Sequence, residues 1–256
     1  MNRCTPILLA AAWAAAPVPS RAQDVDAQQR RLIEIHALLL DLPPVQAPAA
    51  LPAGTLHASL EAVTIPAIDG TVGDKREITA SDHTRLFPRP RLALGLPAPA
   101  GLRAFVGLAY IPPIRIQQVS TDYLAAEAGL GAAPGWVRLG ARVHALYASA
   151  SAPVTEPSTR DELRAWEWGA DLSAGAHLGG AGLSLEPYAG AGVVSLRGRF
   201  HVAVDGTVLR SERTVAALHA GARLALGRRW DMVAETDAYP DRLLHAVLRL
   251  GYSFGR

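Results

Sequence analysis

From residue 54 onward, apolar residues recur at every second position and polar or small ones fill the places between. Residues 163–178, LRAWEWGADLSAGAHL, show the pattern. Trp166, Trp168, Ala170, Leu172, Ala174, Ala176 and Leu178 fall on one face. Glu167, Gly169, Asp171, Ser173, Gly175 and His177 fall on the other. A period of two marks a β-strand with unlike faces. Ten such segments are predicted, near 54–66, 84–97, 101–117, 121–131, 135–150, 163–178, 182–198, 211–226, 229–239 and 242–255. They run to roughly 10 residues or more, where about 5–6 is usual in a soluble sheet. A tilted strand needs about 9–11 residues to cross a membrane. A soluble exported barrel would need a polar exterior, and these apolar faces are too continuous for one. The pattern predicts an all-β fold, a closed antiparallel transmembrane β-barrel of about 10 strands. Closure follows because an open edge would leave backbone groups unpaired in hydrocarbon.

The connections give independent support. LPAPAG (96–101), GLGAAPG (129–135), HLGGAG (177–182) and LGRRW (226–230) are tight and follow every second strand. Longer polar stretches, IDGTVGDKREITASDH (68–83), SAPVTEPSTRD (151–161) and HVAVDGTVLR (201–210), fall on the other side. Short turns at one end and long loops at the other place the short end in the periplasm. Trp136, Trp230, Tyr252 and Phe254 sit beside the short turns. Phe87, Tyr110, Tyr123, Tyr147, Trp166, Trp168, Phe200 and Tyr239 sit toward the long connections. This predicts an aromatic belt at each interface.

Two segments precede the barrel. Residues 1–22 carry Arg3, an apolar run from Ile7 to Ala16 and a small-x-small site at Ser20-Arg21-Ala22, which predicts a cleaved export signal. Cleavage removes Cys4, Arg3 and Arg21, taking the formal charge from +2 to 0 and leaving no cysteine. A neutral, disulfide-free chain gives no reason to expect nucleic acid as a partner. Residues 23–53 hold one helix and a stiff Pro-rich linker. The helix opens at Asp24 and Asp26, stops at Pro43-Pro44, and lines up Leu32, Ile35, Leu39 and Leu42. It suits a helix docked on the periplasmic side, where residues 24–42 would offer a contact surface, or a plug in the barrel mouth.

The body, 54–256, resembles the outer-membrane β-barrel proteins of Gram-negative bacteria. Its tail, LHAVLRLGYSFGR, resembles the C-terminal strand that the barrel-assembly machinery recognises. The resemblance implies an outer-membrane location, with lipid and the assembly machinery as partners.

The polar faces then become a lumen. Ten charged residues are expected to line it: Glu61, Arg103, Arg138, Arg142, Glu167, Asp171, Glu186, Arg223, Glu235 and Arg249. Arg89, Arg91, Glu127, Asp231 and five histidines (57, 144, 177, 219 and 245) share that face. Charges out of water must pair, and a ten-stranded barrel lies near the size that side chains fill. The reading is an occluded or narrow lumen and a structural role in the envelope. The alternatives are a channel or transporter for small or hydrophobic solutes and a rim enzyme acting on peptide or lipid. No cofactor, metal site or catalytic set is assigned. Gly190-Ala191-Gly192 lacks the third glycine of a dinucleotide loop, and no His-x-x-x-His or Gly-x-Ser-x-Gly occurs. Asp82-His83, His201, Asp205, Asp237 and Asp241 are the rim candidates for acid–base chemistry. Asp69, Asp74 and Asp82 do not have the spacing of a Ca²⁺ loop.

Overall fold

The computed structural model describes residues 25–45, 51–66, 86–99, 101–116, 119–180 and 182–255. The export signal, the 68–83 loop with Asp69, Asp74, Asp82 and His83, and linker residues 46–50 lie outside them.

One helix, α1 (Val25–Leu38), precedes eleven strands. These are β1 (Leu56–Thr64), β2 (Leu86–Leu96), β3 (Leu102–Ile116), β4 (Val119–Ala132), β5 (Val137–Ala152) and β6 (Asp161–Ala176). β7 (Leu178–Gly179), β8 (Leu183–His201), β9 (Val208–Leu226), β10 (Trp230–Tyr239) and β11 (Leu243–Phe254) complete the sheet. Sequential strands pair antiparallel. β1 pairs with β11 from Leu56↔Phe254 to Val63↔Val247, and β6 pairs directly with β8. The wall is a closed ring of ten strands, and β7 is a two-residue flap on the start of β8. The ten long strands coincide with the ten alternating segments.

The faces also fall as the alternation requires. Leu60, Leu172 and Leu248 are 57%, 68% and 59% exposed, whereas their chain neighbours Glu61, Asp171 and Arg249 are buried. In water such an exterior would aggregate; in hydrocarbon it is the correct solvent match. On the outer face of β8 the belt runs from Leu183 to Val193, and above it Ser195, Arg197 and Arg199 turn the face polar.

Two sequence expectations need correction. Tyr123 and Tyr239 are not belt residues. They are 0% and 2% exposed and point into the lumen, because their odd positions share the parity of Glu127 and Glu235. Phe87, expected in the same belt, is also inward: it shares the parity of Arg89 and packs edge-on against Tyr123. The outer belt keeps Tyr147 in tilted contact with Trp166 at 4.5 Å, and the inner belt has Trp230, Tyr252 and Phe254 in edge contact at 4.8 and 4.7 Å. The 201–210 stretch is mostly strand. β8 and β9 stay paired to His201↔Val208, leaving a six-residue turn, 202–207, with Gly206 at φ 74°. Polar cross-strand pairs such as Arg197–Glu212, at 2.9 Å, continue the ladder past the lipid belt.

Asp161 ties this protruding hairpin to the β5–β6 connection. Its carboxylate accepts from the backbone N–H groups of Val154, Thr155 and Ala203 and from the Thr155 hydroxyl. Burial raises its pKa, but the N–H groups of Ala203, Thr155 and Val154 outweigh that and hold it below the ordinary value of 3.8.

α1 lies inside the barrel, at the end of the long connections. Ile35, Ala37 and Leu38 pack on Ala165 of β6, Val194 and Leu196 of β8, Ala217 of β9 and Leu243 of β11. Glu34 accepts from Ser211 at 2.8 Å and Arg242 at 2.9 Å. Gly198 seats Ile33, and any Cβ there would collide with its methyl group. The chain then descends. Leu42 packs beside Ile111 and Tyr123, Val45 beside Val233 and Val247, and Leu51 against Ala93 and Phe105 at the short-turn end. Of the two placements the sequence suits, the structure has the plug. The helix therefore does not stand free at the short-turn end as a periplasmic contact surface. Five of its residues, Ile33, Glu34, Ile35, Ala37 and Leu38, are buried, a wider face than one docked stripe would need.

Two outcomes follow. Leu248→Arg, in mid-belt, lowers unfolding free energy in lipid vesicles by about 2–4 kcal/mol, and Thr214→Arg, above the belt on the same outward parity, by about 0–1; denaturant titration measures both. Because the pKa of Asp161 is depressed when folded, its tie is fully present above the ordinary carboxylate pKa and fades as pH falls below about 4. Limited proteolysis of the 153–160 and 202–207 connections is expected to accelerate below that pH, and Asp161→Asn to be fast at every pH.

Candidate functional site

The plug segment is a problem in hydrogen bonding. Residues 41–45 belong to no helix or strand and are buried, and Pro43 and Pro44 have no N–H. Their carbonyls need donors from the wall. Three arginines supply them. Arg89 Nη1 donates to the Asp41 carbonyl at 2.7 Å, Arg142 Nη2 to the Leu42 carbonyl at 2.8 Å, and Arg91 and Arg142 both to the Pro43 carbonyl at 3.2 Å. The Val45 N–H donates to Glu235 Oε1 at 2.8 Å, and the Tyr188 hydroxyl donates to the other oxygen at 2.7 Å. Asp41 itself accepts from the Tyr239 hydroxyl at 2.5 Å and its own Leu42 N–H at 2.8 Å, and pairs with His144 Nε2 at 2.9 Å.

The same arginines are neutralised by the wall. Glu61 takes Arg89 at 2.7 Å and Arg91 at 2.8 Å. Glu127 takes Arg91 and, at 3.2 Å, Arg142, and Asp171 takes Arg142 at 2.8 Å. Cations and anions alternate across β1, β2, β4, β5 and β6, so each charge of this five-strand network meets its opposite. Gly107 makes room, since a Cβ there would run into the Glu127 carboxylate. A second network sits nearer the short turns. Asp231 joins Arg223 at 2.8 Å, Arg249 at 3.3 Å and His57 at 3.3 Å. Glu186 joins Arg223 at 2.9 Å, His177 at 2.9 Å and Arg138 at 3.6 Å.

Of the ten residues expected to line the lumen, Glu61, Arg142, Asp171, Glu186, Arg223 and Arg249 enter these networks, and Arg138 joins at their edge. Glu235 holds the plug. Glu167 is buried beside Asp41 and forms no ion pair among the described residues. Arg103 departs from the expectation. It stands exposed, one residue into β3, at the short-turn end of the wall. Asp41 is the residue that sequence reasoning missed. It looked like one more acid before a Pro-Pro stop, and only its burial in the lumen gives it a role.

Among the described residues the rim candidates do not assemble. Asp237 is buried in the lumen beside His245, 3.6 Å away. Asp241 sits in the β10–β11 turn at φ 61°, and Asp205 accepts from Thr207 in the β8–β9 turn. Among the described residues no three His, Cys, Asp or Glu side chains are placed to hold a metal ion.

A closed antiparallel ring, a leucine-covered exterior and aromatic belts at both ends give the chain the fold of the outer-membrane β-barrels. No family model matches the chain, and no curated protein does. Solved structures similar to it include the translocator domain of the autotransporter NalP from Neisseria meningitidis, 12% identical with a TM-score of 0.45 over 90% of this chain and 95% of that one. An outer-membrane channel from Pseudomonas putida F1 is 13% identical, with a TM-score of 0.41 over 84% and 100%. The N-terminal β-barrel domain of Pseudomonas aeruginosa OprF is 13% identical, with a TM-score of 0.32 over 80% and 100%.

Removing one arginine tests the lumen network. Arg142→Ala uncaps the Leu42 carbonyl, leaves the Pro43 carbonyl to Arg91 alone and deprives Glu127 and Asp171 of a shared cation. Breaking a buried pair costs about 3–5 kcal/mol. Hydrogen exchange at the Leu42 and Val45 amides is expected to rise at least a hundredfold, with strand amides in the outer half of β8 little changed.

Proposed function

We propose that the chain is exported through a cleaved signal, inserts into the outer membrane of a two-membraned cell and serves as a sealed barrel with a structural role in the envelope. The capping of three consecutive plug carbonyls by Arg89, Arg91 and Arg142 carries this reading. Most of the wall charges that could select solutes, eight of the ten, are engaged with the plug or with one another. A channel of the kind considered from sequence would conduct only with the plug displaced. Catalysis at the rim has less support, because Asp237 and His245 are buried in the lumen while Asp205 and Asp241 sit in two separate turns. Lipid around the belt and the assembly machinery at β11 are the partners this reading implies.

The orientation has a consequence. With the short turns in the periplasm, α1 enters the lumen from outside, and its first turns emerge at the cell surface. Arg30 and Arg31 are exposed there. Trypsin added to intact cells is expected to cut at these arginines. Cutting only after permeabilisation would reverse the orientation.

Planar-bilayer recording tests the seal. The mature chain, shown to be inserted by its heat-modifiable gel mobility, is expected to give no discrete current steps in molar KCl. Arg91→Ala combined with Arg142→Ala is expected to give them as the plug loosens. Regular steps from the unaltered chain would sink the sealed-barrel reading.

A further inference from the structure

The wall is not uniformly stitched. β1 pairs with β2 along nine positions, from Leu56↔Leu94 to Thr64↔Leu86. β2 pairs with β3 along only six, from Leu96↔Ala104 to Arg91↔Ala109. Beyond that point the β2–β3 ladder stops, although both strands continue toward the long connections.

The reason can be read from backbone parity. Gly95 donates its N–H to the Thr55 carbonyl and accepts from the Gly54 N–H, both at 2.9 Å. Odd residues of β2 therefore bond toward β1, and even residues bond toward β3. If the register continued, the next two hydrogen-bonded pairs would be Pro90 with Tyr110 and Pro88 with Pro112. Three of those four residues are proline and have no N–H to give. Pro113 adds a fourth proline, within the register shift between Ile111 and Ile114 where β3 also parts from β4. Arg89 and Phe87, the odd residues between, keep their places on β1. The prolines fall at the positions that unzip one seam and spare the other.

The seam runs through the lipid belt on the long-connection side. Outside it stand Leu86, Tyr110 and Ile114, exposed by 51%, 46% and 40%, with the four prolines. Behind it lie Ala109, Ile111, Tyr123 and Leu42 of the plug, all buried and largely apolar. The unmade bonds leave mainly carbonyls, which tolerate being unpaired better than N–H groups do. An added strand from another protein would need the missing donors. A hydrocarbon chain needs none, and it is what surrounds this part of the wall.

We propose that the outer halves of β2 and β3 form a lateral slot that admits a single acyl chain of a membrane lipid from the surrounding leaflet, bringing it against Ile111 and the plug. This rests on the reading of the chain as a lipid-embedded barrel, which the same experiment scores separately.

The test is photolabelling. The mature chain is refolded into phosphatidylcholine vesicles containing a phosphatidylcholine with a mid-chain diazirine, irradiated and mapped by mass spectrometry. Adducts on outward residues such as Leu172 and Leu248 report embedding. The slot predicts further adducts on inward residues at the seam, Phe87, Ile111 or Leu42, and none on inward residues far from it, such as Leu196. Replacing the three prolines together, Pro88→Val, Pro90→Val and Pro112→Val, restores the donors and is expected to cut the seam adducts at least fivefold with the outward ones unchanged. Outward labelling without seam adducts in the unaltered chain overturns the slot, as do seam adducts that persist at full level in the triple variant. Loss of outward labelling in the unaltered chain would overturn the embedded barrel itself.

Discussion

Arg89, Arg91 and Arg142 each face two ways. One side of each guanidinium satisfies the carbonyls of a proline-containing segment that cannot satisfy itself. The other side meets Glu61, Glu127 or Asp171 on the wall. Neither half is stable without the other. Uncapped carbonyls in a dry lumen are costly, and so is an arginine without its acid. Guanidinium groups suit the position because five donors in a planar fork can serve a carboxylate and a carbonyl together. Small residues on the inner face give the partners their room: a Cβ on Gly107 would meet the Glu127 carboxylate, and one on Gly169 the His144 ring.

The barrel wall was almost entirely legible. A period of two fixes which side chains share a face, and lipid outside demands that the apolar face be unbroken, so strand positions and inward residues such as Glu61, Asp171 and Arg249 follow directly. Where the wall ends, that logic ends too. Arg103 has the correct parity but lies where the lumen opens to water. Tyr123 and Tyr239 have the amphipathic character of belt residues, and their parity sends them inward. The 201–210 stretch is polar, which reads as loop, yet a ladder that has left the lipid has polar residues on its outer face as well.

The plug was legible only as a helix. Leu32, Ile35, Leu39 and Leu42 make a stripe that serves equally on a surface or in a mouth, since periodicity reports a face and not what covers it. The evidence for enclosure was spread over residues that look ordinary in isolation: Glu34, Asp41, two prolines, and a glycine at 198 on a strand more than 150 positions away. Their roles arise from long-range proximity, which one sequence without relatives does not display.

Enclosure also dictates an order of events in biogenesis. Residues 25–53 come before β1, and the ring closes where β1 meets β11, residues about 190 positions apart. A sheet already sealed would have to be threaded through a lumen crowded with paired charges. The segment made first must therefore lie in place before the strand made last zips the wall, so whatever inserts this chain has to hold an open, curled sheet around a passenger that belongs to the same polypeptide.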